Sequence, residues 1–202
     1  MVKTIFNLCS LILFVGLSNL SSQVYIALGG NYSSVAKSTL DLEPMYQTNP
    51  AFGIGRVFSL TDKLHFNTEI QYSVKGFKTK GAYIREGTLF VPNANSNYRV
   101  HYMDFTPHLE LSTGRYVSVL AGVNAGLKLL ETYNDITLEE LNLPDHKKYD
   151  FGYLVGGKIS YQDIWLRLMV NVGVVNMLDN SPTLVHESRN IQMTVGVNLN
   201  QH

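Results

Sequence analysis

Tyr116-Val117-Ser118-Val119-Leu120-Ala121-Gly122-Val123-Asn124-Ala125-Gly126-Leu127-Lys128-Leu129-Leu130 is the stretch whose reading decides the fold. Val117, Val119, Ala121, Val123, Ala125, Leu127 and Leu129 share one side, while Ser118, Gly122, Asn124, Gly126 and Lys128 dominate the other. A period of two belongs to an extended strand, whose successive side chains point to opposite faces. The run is longer than the roughly 5 or 6 residues usual in soluble sheets and reaches the roughly 9 to 11 that cross a bilayer at a tilt.

Working outward, Ile164 to Met177 repeats the pattern, with Ile164, Leu166, Leu168, Val170, Val172 and Val174 on one side and Trp165, Arg167, Asn171 and Gly173 among those opposite. The last segment sets Ile191, Met193, Val195, Val197 and Leu199 against Gln192, Thr194, Gly196 and Asn198. Val24 to Ser34, Thr48 to Phe58, Lys63 to Lys78, Tyr98 to Leu111 and Tyr149 to Tyr161 are less regular but compatible, which brings the expected strands to eight. Leu60-Thr61-Asp62, Ser112 to Arg115 and Gln162-Asp163 are short links, whereas Val35 to Gln47, Thr79 to Asn97, Glu131 to Lys148 and Leu178 to Ser188 are long and polar. In an up-and-down sheet the long loops then fall at one end, and the short turns and both termini at the other. That sorting is the mark of a transmembrane barrel. The expectation is an all-β fold, an eight-stranded antiparallel up-and-down transmembrane β-barrel.

Composition agrees. Only 16% of residues are charged, against roughly 25% in an ordinary soluble domain. Sixteen basic and sixteen acidic side chains leave a net charge of zero, so no field steers the chain towards nucleic acid. Lys3 followed by the apolar run Ile5 to Leu17 and the small polar Ser18 to Gln23 has the order of a secretory signal. Residues 1–23 are therefore expected to be a cleaved signal peptide and residues 24–202 an outer-membrane barrel domain. Cys9, the only cysteine, lies inside that signal, so the mature chain has no disulfide framework and no cysteine-ligated metal.

If the apolar faces meet lipid, the opposite faces meet inside a barrel too narrow for a wide channel. Alternation sends Glu69, Lys75, Asp104, His108, Glu110, Lys128, Lys158 and Arg167 inward. Their mixed signs suit mutual ion pairing; a narrow ion or proton path through them is the sharper reading. Gly122, Gly126, Gly152, Gly156, Gly173 and Gly196 fall on the same face and make room for long neighbours. Tyr25, Tyr32, Tyr72, Phe77, Tyr98, Tyr116, Tyr149, Tyr161 and Trp165 cluster near strand ends, as interfacial girdles or as ordinary strand composition. Leu138 to Leu143 could form a short helix stopped before Pro144. The six histidines are scattered without metal-ligand spacing, and no nucleophile elbow occurs. No enzyme activity, cofactor or metal is expected. Arg56, Lys75 and His101 lie near expected strand ends but form no recognised catalytic set.

Four segments, in order, resemble the PorT-like small outer-membrane β-barrels. Glu69-Ile70-Gln71-Tyr72-Ser73-Val74-Lys75-Gly76 looks like that family's Glu-Leu-x-Tyr-x-x-Lys-Gly, and Tyr102 to Leu109 is similar to its Tyr-Leu-Glu-Ile-Pro-Leu-Leu with the proline displaced by one position. Asp150-Phe151-Gly152-Tyr153 followed by Gly156-Gly157 resembles its Asp-x-Gly-x-x-x-Gly strand, and Leu166-Arg167 through Asn176 its Arg-Tyr-x-x-Gly-Leu-x-Asn strand. The resemblance implies an eight-stranded barrel in the cell outer membrane, and some such relatives are tied to a protein-secretion apparatus. The functional expectation is a structural or interaction protein, with outer-membrane lipid around it and envelope or secretion-apparatus proteins at its long loops. The alternative is a soluble lipocalin-like carrier of a small apolar ligand, which would be the same alternation turned inside out.

Overall fold

The structure is a computed structural model that describes residues 22–35, 43–84, 89–133, 136–137, 148–173 and 188–199. Its strands are β1 (Ser22–Val35), β2 (Glu43–Met45), β3 (Gln47–Ser59), β4 (Leu64–Ile84), β5 (Leu89–Phe105), β6 (His108–Ser112), β7 (Val117–Tyr133), β8 (Ile136–Thr137), β9 (Tyr149–Tyr161), β10 (Ile164–Gly173) and β11 (Ser188–Leu199). β2 continues the line of β3 against β4, β6 continues β5, and β8 lies against the end of β7. The result is eight staves in the order β1, β3, β4, β5, β7, β9, β10, β11, all pairs antiparallel, with β11 closing on β1. Closure leaves no open edge along the wall, which a sheet in hydrocarbon requires.

β10 alternates strictly: Ile164, Leu166, Leu168, Val170 and Val172 are exposed, and Trp165, Arg167, Met169, Asn171 and Gly173 are buried. Elsewhere most of the exposed strand side chains are likewise apolar, with Leu28 at 65% and Ile54 at 54%, and much of the buried set is polar or charged. This is a water-soluble protein turned inside out. An exterior of this kind needs a hydrocarbon solvent, and the soluble carrier is not favoured because it requires the opposite distribution. Leu168→Arg is expected to cost about 2–4 kcal/mol by placing a cation against lipid near the middle of β10. Urea unfolding in lipid vesicles measures it, with Leu168→Ala as the milder comparison.

Several expected boundaries move. Thr79 to Asn97 is not a long loop: β4 runs on to Ile84 and β5 starts at Leu89, with a bulge between Lys80 and Ala82. Lys75 accordingly stands well inside its stave and not at a strand end. β7 continues into the expected loop as far as Tyr133. The stave expected from Tyr98 to Leu111 breaks at Thr106-Pro107, because proline has no N–H for a ladder. Its backbone is still partnered, since Thr106 N–H donates to the Glu69 carbonyl at 2.9 Å and Val123 N–H to the Pro107 carbonyl at 3.1 Å. Val174 to Met177, the helix expected over Leu138 to Leu143, and residues 1–21 of the expected signal peptide lie outside the described residues, while Ser22 and Gln23 already belong to β1.

Leu60 to Lys63, Thr113 to Tyr116 and Gln162-Asp163 turn the chain at the end where Ser22 and Leu199 also lie. Gln162 takes a left-handed φ of 55° to make the tightest of these turns. Tyr116 and Tyr161 face outward at that end with ring centroids 6.1 Å apart, and Tyr32 and Tyr46 stack at 4.5 Å near the other. Exposed rings at the two ends are where interfacial girdles would stand.

Candidate functional site

Among the described residues the charged chemistry is concentrated in the barrel interior, where four ion-pair clusters climb from the short-turn end to the long-loop end. All eight charged or ionisable side chains singled out from the alternation lie there. Glu110 pairs with Lys158 and accepts from Asn67 Nδ2 at 3.3 Å. Above it, Arg167 grips Glu69 with two parallel bonds, Nη1 to Oε2 at 2.7 Å and Nη2 to Oε1 at 2.9 Å. Tyr25 Oη donates to the same carboxylate at 2.7 Å, and Arg167 Nε donates to Thr194 Oγ1 at 3.2 Å. Glu69 and Arg167 are only 1% and 2% exposed. The planar fork fills both carboxylate oxygens, the geometry in which a buried pair offsets the cost of leaving water.

The third cluster centres on Lys75, whose Nζ donates to Asp104 Oδ1 at 3.1 Å and to Asp150 Oδ2 at 2.8 Å. Ser73 Oγ and Asn124 Nδ2 also donate to Asp104. Near the long-loop end Lys128 meets Glu131 at 2.8 Å. In a regular strand residues three apart point to opposite faces. Here His101 pairs with Leu130 and Tyr102 with Lys128, so Leu129 is an extra residue in a bulge. The bulge resets the alternation and turns Glu131 inward.

His108 binds the Thr106 carbonyl through Nδ1 at 3.0 Å between the two lower clusters. Among the described residues no three His, Cys, Asp or Glu side chains are grouped to hold a metal ion.

Asp150, Glu131, Tyr25 and Trp165 are interior residues that the choice of charged positions did not include. Asp150 shares the phase of Gly152 and Gly156, so the same alternation applied to β9 finds it. Glu131 has no such signal, because only the bulge brings it in. Tyr25 and Trp165 belong inside, not to a girdle. Both are buried and meet edge to face with centroids 5.3 Å apart at 83°. The Arg167 guanidinium lies 5.0 Å over the Trp165 ring.

The room for these rings comes from glycine. Tyr25 pairs across the ladder with Gly55, and Trp165 with Gly196. A methyl group at either glycine would overlap the ring itself. Gly196→Ala is therefore expected to destabilise the barrel by about 1–3 kcal/mol through overpacking. Gly114→Ala, in a turn with open space around it, is expected to leave stability unchanged. Denaturation midpoints of the two variants check this.

The model of one protein family, described as outer membrane protein beta-barrel domain, matches residues 17–181. In three dimensions the chain is similar to Neisserial surface protein A, with a TM-score of 0.52 and 11% identity, over 89% of this chain and 99% of that one. It is also similar to Ail, the attachment invasion locus protein of Yersinia pestis, in complex with the heparin analogue sucrose octasulfate. That match has a TM-score of 0.50 and 11% identity, over 89% of this chain and 100% of Ail. At such identities the likeness is one of fold. No curated protein matches the chain in sequence.

Proposed function

The chain belongs to the family of outer membrane protein beta-barrel domains and lies in the outer membrane, and from that premise we propose that it is a structural and interaction protein, closed to solutes, that works through its long loops. The observation that carries this reading is the packed interior. Arg167, Glu69, Tyr25 and Thr194 span the lumen with direct bonds from β10 to β4, β1 and β11. Lys75 does the same between β4, β5 and β9. A barrel of eight staves leaves room for side chains and not for a channel of porin width.

The finer reading is a role beside a protein-secretion or envelope-assembly apparatus, supported by the sequence resemblance to PorT-like barrels. Recognition then falls to residues 36–42, 85–88, 138–147 and 174–187, the segments joining staves at the long-loop end. No turnover of lipid or peptide substrates is expected.

Two measurements test the proposal. In planar bilayers the purified protein is expected to give no stepwise conductance; resolved openings would overturn the closed reading. A photo-crosslinking residue placed at 36–42 or 174–187 in growing cells is expected to capture an envelope protein. Crosslinks to lipid alone would remove the interaction role.

A further inference from the structure

A cavity of about 10 Å³ lies between the two lower ion-pair clusters, about the volume that one water needs and too small for an organic ligand. Its lining includes His108, Glu110, Lys158, Arg167, Trp165 and Val57. Most of these side chains are already committed. Lys158 is bound to Glu110, and Arg167 to Glu69 and Thr194. His108 is different. Its Nδ1 faces a carbonyl and so must carry the proton, which leaves Nε2 as an acceptor in the neutral ring. Among the described residues only the Thr106 carbonyl bonds this imidazole, although the residue is just 3% exposed. Nε2 itself is open to a water-sized neighbour in the cavity, and an acceptor in so narrow a space calls for a donor.

We propose that the cavity is a hydration site holding one water, which donates to His108 Nε2 and to the Glu110 carboxylate and accepts from Lys158. Water is the occupant that the chemistry selects. Each cation at the cavity already has its carboxylate, so a further anion would enter uncompensated, and a metal would face Lys158 and Arg167. The water joins the Glu110 cluster through His108 to the wall beneath Glu69, whose carbonyl accepts from Thr106 N–H. The two lower clusters thereby become one bonded plug.

Filling the space distinguishes this from a dry packing defect. Val57→Ile adds one methylene at the cavity wall. In a dry void it raises stability, whereas in a hydration site it evicts the water and strands His108 Nε2. The expected result is a folding equilibrium constant lower by about tenfold, the scale of one unsatisfied buried acceptor. Most of the loss should return in the double variant Val57→Ile with His108→Leu, which no longer needs the donor. A higher midpoint for Val57→Ile alone would overturn the proposal.

If the variant does not insert, the native protein still decides. Trp165 is the only tryptophan of the chain and lines this cavity, so its indole signals come from one ring beside the site. Magnetic relaxation or water-to-indole transfer is expected to show one long-lived internal water beside the Trp165 ring, and a ring without such a neighbour would refute the site.

Discussion

Arg167→Met is expected to lower the stability of the barrel by about 3–5 kcal/mol, the usual loss when one partner of a buried ion pair is removed. Methionine nearly conserves the volume, so little of the loss comes from a cavity. What remains is the Glu69 carboxylate, 1% exposed and stripped of both bonds from the guanidinium. Tyr25 alone cannot hold it. Replacing both partners, Arg167→Met with Glu69→Leu, is expected to return most of the loss, because apolar groups of similar volume need no partner. Urea unfolding in vesicles, followed by the heat-dependent shift on a gel, measures all three proteins. A double variant as unstable as Arg167→Met would mean that the pair matters through packing and not through charge.

The second large effect is expected at Lys75. Its ammonium is the shared partner of Asp104 and Asp150, and among the described residues Asp150 Oδ1 already has no hydrogen-bond partner. Lys75→Met leaves two carboxylates facing one another in a poorly solvated space, so the loss should match or exceed about 3–5 kcal/mol. Adding Asp150→Asn should recover part of it by removing one of the like charges. Adding Asp104→Asn should recover less, since Ser73 and Asn124 continue to donate to Asp104. Equal recovery from the two would show that those donors contribute little.

Both effects depend on residues whose common face alternation alone made legible. In β7 and β10 every second residue is apolar, and a strand has no other way to bury or expose such a series on one face. The number of staves and the sharing of one face by Glu69, Lys75, Asp104 and Arg167 are consequences of that local rule. They required no knowledge of which staves become neighbours.

Alternation does not say which face is the inside. A period of two survives inversion, so a lipid-facing and a water-facing barrel share it, and only the closed structure, with Leu28 and Ile54 outside and Arg167 inside, decided between them. Nor could it pair Arg167 with Glu69, 98 residues apart, since register across several staves depends on how the whole barrel closes. The bulge at Leu129 that turns Glu131 inward is likewise a property of two strands and not of one. Tyr25 and Trp165 looked like girdle residues because a ring near a strand end is compatible with either place. They lie inside because Gly55 and Gly196, their partners across the ladder, leave the space that two rings need. Periodicity is local and is written into the chain; register, closure and packing are long-range, and their physical cause is the competition for a lumen only a few side chains wide.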